Sequence, residues 1–79
     1  MKLQATAGYI IISDSDDGEM AINVDRIVSV VNVVGGGTPR IDLSDGIGVH
    51  VSRSIHTILR AIRTAKLMSG HAILEVDGE

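Results

Sequence analysis

Apolar and polar positions follow two different rhythms along this chain. As far as residue 51, valine and isoleucine recur in short runs with a two-residue beat, and from about residue 54 the spacing lengthens to that of a helix. The first run lies in residues 4–13, where the β-branched density of Tyr9-Ile10-Ile11-Ile12 predicts a strand although its alternation is broken. Residues 14–19, Asp-Ser-Asp-Asp-Gly-Glu, predict a turn, because Asp and Ser hydrogen-bond their own backbone. Met20, Ile22 and Val24 then alternate with Ala21 and Asn23, the pattern of a strand with one buried face.

After the interruption at Asp25-Arg26, residues 27–34 read IVSVVNVV. As an extended strand this places Val28, Val30 and Val34 on one face and Ile27, Val31 and Val33 on the other. A strand apolar on both faces is either central and covered twice or covered by another chain. The sequence offers one convincing helix, which covers one face. Homo-oligomerisation is therefore expected, with Ile27, Val28, Val30, Val31, Val33 and Val34 as the interface.

The register of the next hairpin follows from parity. A two-residue loop at Asp45-Gly46 would set Asp42 against Val49 and mix buried with exposed faces. A three-residue loop, Ser44-Asp45-Gly46, pairs Leu43 with Ile47 and Ile41 with Val49 and is the predicted form. It places Arg40 opposite His50 and Asp42 beside Gly48 on the outer face.

Ser52 or Ser54 caps a helix expected to run to about residue 69, with Gly70 to end it. At about 100° per residue, Ile55, Ile58, Leu59, Ile62, Ala65 and Ser69 share the side that docks on the sheet, while His56, Arg60, Arg63 and Leu67 share another. Residues 71–76 predict a final short strand, able to pair with an open edge of its own sheet or of another subunit. The expected fold is α+β: a small antiparallel sheet of four to five strands with one helix, in the C-terminal half, packed on one face. It forms a single domain over residues 1–79.

Size changes how much support this fold needs. A chain of 79 residues buries only roughly 60% of the surface its unfolded form exposes. Cysteine is absent, which removes disulfides and thiolate metal sites and leaves a partner subunit as the natural support. Tyr9 is the lone aromatic, so the core is aliphatic. A net charge of −3 gives no general attraction to nucleic acid or anionic lipid. The N-terminal apolar run is too short for a signal segment or membrane span, so a cytoplasmic protein without membrane contact is expected.

Candidate chemistry is sparse. Asp14, Asp16 and Asp25 match three positions of a twelve-residue calcium loop, but Gly18 stands where an oxygen ligand belongs, Glu19 where the turn glycine belongs, and the bidentate Glu is missing. Gly35-Gly36-Gly37 lacks the GxGxxG spacing, the following Lys-Ser/Thr and the helix that a phosphate cradle needs. The three histidines fall on different elements, and no serine stands in a nucleophile elbow. No enzyme activity, cofactor or metal site is expected. What remains is a set of cationic and imidazole side chains on the outer hairpin face and the helix: Arg40, His50, Arg53, His56, Arg60 and Arg63 are the candidate contacts for a protein partner or, as the alternative, for a nucleic-acid backbone.

The succession DGEMAINVDRIVSV and RIDLSDGIGVHVSRSIHTILRAI resembles the small flagellar FlbD-like proteins of bacteria. The shared features are a glycine turn, an N-x-x-x-I segment before a strand, a glycine hairpin and a V-x-x-S step into a short helix, here at Gly18, Asn23, Ile27, Gly46, Val51 and Ser54. The resemblance covers more than half of the chain. It implies three or four strands plus a helix and no catalytic residues. The functional expectation is a non-enzymatic, homo-oligomeric protein-interaction or regulatory module, an accessory protein of bacterial or phage type.

Overall fold

A computed structural model describes residues 1–14 and 18–76, so Ser15, Asp16 and Asp17 of the acidic turn and the tail 77–79 lie outside the described residues. The elements run β1 (Lys2–Thr6), β2 (Tyr9–Asp14), β3 (Gly18–Asn23), a 3₁₀ turn (Val24–Arg26), β4 (Ile27–Val31), β5 (Arg40–Leu43), β6 (Gly48–His50), α1 (Ile55–Leu67) and β7 (Leu74–Glu75). The α+β class, with one α-helix among the described residues and that in the C-terminal half, is as expected. The strands, however, divide into two antiparallel sheets, one ordered β3-β2-β1-β7 and the other β4-β5-β6.

Two local devices account for the extra strands and the second sheet. Residues 4–13 are not one strand: the chain reverses at Ala7-Gly8, where Gly8 takes a φ of 81°, and Thr6 faces Tyr9 across a tight hairpin. Leu3 and Ala5 therefore share a face with Ile12 and Ile10. The second device is Asn23, whose side-chain oxygen accepts from the Asp25 N–H at 2.9 Å and opens the 3₁₀ turn. That turn ends the first sheet and starts the second.

The strand expected over residues 27–34 is shorter than its apolar run. It stops at Val31, and its pairing with β5 shifts register between Ile27 and Ser29, a bulge that leaves Val28 out of the ladder. The next hairpin has the predicted register, with Ile41 opposite Val49, Arg40 opposite His50 and Asp42 opposite Gly48. The Leu43 N–H donates to the Ile47 carbonyl at 2.9 Å, and Gly46 takes a φ of 90° in the three-residue loop.

Ser54, not Ser52, caps the helix: its Oγ accepts from the Thr57 N–H at 3.2 Å. The helix ends at Leu67, two residues before the expected Ser69. Its buried side is Thr57, Ile58, Ala61 and Ala65, with Ile62 partly buried. Leu59 stands 47% exposed, so the docking stripe is rotated away from it. The cause is closeness of approach. Ala61 and Ala65 carry no bulk, and the β1–β2 hairpin comes near enough for the Gly8 N–H to donate to the Ala65 carbonyl at 2.9 Å. That carbonyl lies in the last helical turn, where no intrahelical donor follows.

Around this contact, Leu3, Ala5, Ile10 and Ile22 of the first sheet meet Ile41 and Val51 of the second unit and Ile58 of the helix in one aliphatic core. The final strand pairs within its own chain, Ala5 with Leu74, secured by Val76 N–H to Leu3 carbonyl at 2.8 Å and Thr6 hydroxyl to Ala72 carbonyl at 2.8 Å.

Ile58→Ala is expected to lower unfolding free energy by about 2–5 kcal/mol, much of what so small a domain possesses. Leu59→Ala is expected to change it by only about 0.5 kcal/mol. Chemical denaturation of the two variants beside the parent measures the difference, and equal losses would contradict the rotated docking face.

Candidate interaction surfaces

The six apolar residues expected to form one assembly strand are sorted by the bulge and the early strand end. Ile27 and Val30 pack against the core. Val31 and Val33 are half-buried, and Val33 folds back toward Gly37. Val28 and Val34 remain outside, 69% and 98% exposed. The region thus presents two separated apolar side chains along an irregular edge.

The outer face of the second sheet is polar and internally paired. Arg40 crosses to Asp42 on its own strand, with Nε to Oδ1 at 2.6 Å and Nη2 to Oδ2 at 3.2 Å. The Ser29 hydroxyl donates to the same carboxylate at 3.1 Å from β4. Thr38 and His50 meet at 3.3 Å between Oγ1 and Nδ1. Gly48 is what lets Arg40 lie flat: a Cβ there would come within 2.9 Å of Arg40 Cδ and 3.2 Å of its Cγ. The hydrogen bond from Arg40 holds the Asp42 carboxyl below the usual carboxylate range, with Ser29 adding to it, and Asp42 in turn raises the Arg40 guanidinium.

The remaining candidates do not gather with Arg40. Arg53 sits where the chain enters the helix and donates to two backbone carbonyls, Met1 at 2.6 Å and Ser52 at 2.8 Å. His56, Arg60 and Arg63 are exposed along α1. Arg26, outside the expected set, pairs with Asp45 at 3.1 Å. The six residues therefore fall into a neutralised sheet face, a guanidinium tied to the backbone and a short cationic helix face. Among the described residues no three His, Cys, Asp or Glu side chains are grouped as a metal ion requires, and no helix is long and apolar enough to cross a membrane.

One surface was not anticipated. β3 is the end strand of the first sheet, and a cleft of about 200 Å³ lies beside it, lined by Met20, Ala21 and Ile22 of that strand and by Leu43, Ile47 and Val49 of the facing hairpin. Met20 is 48% and Ile47 56% exposed. The ladder sets which backbone groups are spoken for. Val24 N–H donates to the Gly8 carbonyl at 3.0 Å, and in an antiparallel pair bonded positions recur every second residue. Ile22, Met20 and Gly18 thus turn their amides and carbonyls toward β2, while Asn23, Ala21 and Glu19 turn theirs outward. The alternation of Met20, Ile22 and Val24 marks the strand but not its position at a sheet edge, which needs the order of all the strands.

No protein-family model, no curated protein and no solved structure matches this chain.

Because the Asp42 value is lower folded than unfolded, its contribution to stability is complete above the ordinary carboxylate range, about pH 3.9, and is lost as pH falls through the folded value. Gly48→Ala, by displacing Arg40, is expected to move the Asp42 titration upward and to shrink this acid-sensitive component. Side-chain carboxyl NMR across pH 2–7 measures the midpoint. An unchanged midpoint would show that Arg40 reaches Asp42 without needing the bare glycine.

Proposed function

We propose that this protein is a non-enzymatic, homo-oligomeric interaction module of regulatory character, working through surface contact with protein. The observation that carries the reading is the set of large apolar side chains left uncovered on the end strands and the connecting loops, Met20 and Val28 on β3 and β4 and Val34 and Ile47 in loops, while the one helix among the described residues is already committed to the core. Small domains gain support from association, and uncovered aliphatic edge residues are the surfaces that association buries.

The likeness to the small FlbD-like flagellar proteins accords with this reading. Asn23 opens the turn before β4, Gly46 forms the hairpin and Ser54 caps the helix, each at a position the likeness marks. We place the protein with bacterial or phage accessory proteins of this kind, acting in the cytoplasm. Partner choice falls to protein over nucleic acid because Arg40 and Arg26 are neutralised by Asp42 and Asp45 and the chain has no aromatic pair for stacking bases.

Sedimentation velocity at micromolar concentration is expected to give a mass that is a multiple of the 8.3 kDa chain. A monomer removes the oligomeric reading. Binding to nucleic acid at low salt, with a salt dependence reduced by Arg60→Ala and Arg63→Ala, would replace protein by nucleic acid as the partner.

A further inference from the structure

We propose that two copies of this chain join through the free edge of β3, antiparallel about a two-fold axis at Ala21, so that their four-stranded sheets become one continuous sheet. The inference rests on the self-association proposed above and names its surface and register.

The choice of β3 follows from comparing the exposed edges. β4 is bulged after its first residue, β6 has three residues and β7 two. Short length and bulges are the devices by which sheet edges avoid one another. β3 has neither. Its six residues pair with β2 in unbroken register, and it contains no proline and no lysine.

The register follows from the groups that face outward. A second strand bonds to Glu19, Ala21 and Asn23, and only pairing centred on Ala21 matches all three with their own counterparts: Ala21 with Ala21, and Glu19 with Asn23 in both directions. Centring on Glu19 would set like charges directly opposite, which is unfavourable. Centring on Asn23 would set Ala21 against Asp25, which lies in the 3₁₀ turn and not in a strand. With Ala21 at the axis, Met20 of one copy stands opposite Ile22 of the other, on the face of the cleft lined by Leu43, Ile47 and Val49. The exposed Met20 gains an apolar neighbour, and at the axis the two alanines meet without bulk.

The absence of cysteine makes the test direct. Ala21→Cys would place two thiols on directly opposed residues, with Cα atoms about 5.5 Å apart in a hydrogen-bonded antiparallel pair, inside the roughly 4.4–6.8 Å that a disulfide spans. Glu19→Cys would leave its thiols about four residues out of step, on the order of 13 Å apart. Mild oxidation is expected to convert most of Ala21→Cys to covalent dimer within the time that leaves Glu19→Cys largely unlinked. Ala21→Pro removes an outward amide without touching the β2 ladder, and its expected outcome is a folded monomer by circular dichroism and sedimentation. If it fails to fold, the cysteine pair alone decides.

An oligomeric parent whose Ala21→Cys does not cross-link faster than Glu19→Cys overturns the β3 register and leaves self-association standing. So does an oligomeric parent dissociated by Val28→Asp with Val34→Asp while Ala21→Pro stays folded and assembled. A monomeric parent overturns both proposals.

Discussion

One helix has to serve two sheets, and the rest of the molecule is arranged around that constraint. α1 meets β1 and β2 of the first sheet and β4 of the second, with Ile58 fully buried in the shared core. It does so by presenting its smallest side chains, Ala61 and Ala65, where the first hairpin approaches, and the Gly8 amide finishes the contact by satisfying a helix-end carbonyl. Among the described residues no second α-helix covers the opposite faces. The outer face of the second sheet answers with side-chain pairing, and the outer face of the first with mixed positions such as Thr6, Ser13 and Tyr9. With the one helix among the described residues spent on the inside, apolar side chains stay exposed at the sheet edges, in loops and on the outer side of the helix itself, where Leu59 and Leu67 lie.

Those edges are not equivalent. β4 looked in sequence like the strand most in need of a partner, but its bulge turns Ile27 and Val30 inward and isolates Val28. The apolar excess of residues 27–34 is divided among core, connector and solvent. β3, whose alternation looked ordinary, ends its sheet with a straight ladder and an adjoining cleft. Both strands end their sheets, and what separates them is the regularity of the ladder and not apolar content.

Features set by short-range chemistry could be read from the chain. Parity among Ile41, Leu43, Ile47 and Val49 sufficed for the hairpin register, and the helix cap was narrowed to Ser52 or Ser54, of which Ser54 serves. Features set by packing could not. The docking side of α1 turns on two alanines that contribute little hydrophobicity and much proximity, so a hydrophobic stripe favoured Leu59 over Ala61. The reversal at Ala7-Gly8 was hidden because the apolar run resumes after only two residues. Among the candidate contacts, Arg40 and Asp42 were placed on one face, but their closure depends on Gly48 being flat enough to lie across, which no count of charges reveals.

That closure also bears on how quickly anything finds this surface. Opposite charges held about 3 Å apart cancel well within the roughly 10 Å over which charge is felt in ordinary salt. The Arg40–Asp42 pair on β5 and the Arg26–Asp45 pair beside the sheet therefore add little net charge of their own to this part of the surface. A partner arriving there would do so at the unsteered rate of about 10⁵–10⁶ M⁻¹ s⁻¹, with shape and hydrogen bonding deciding which encounters last.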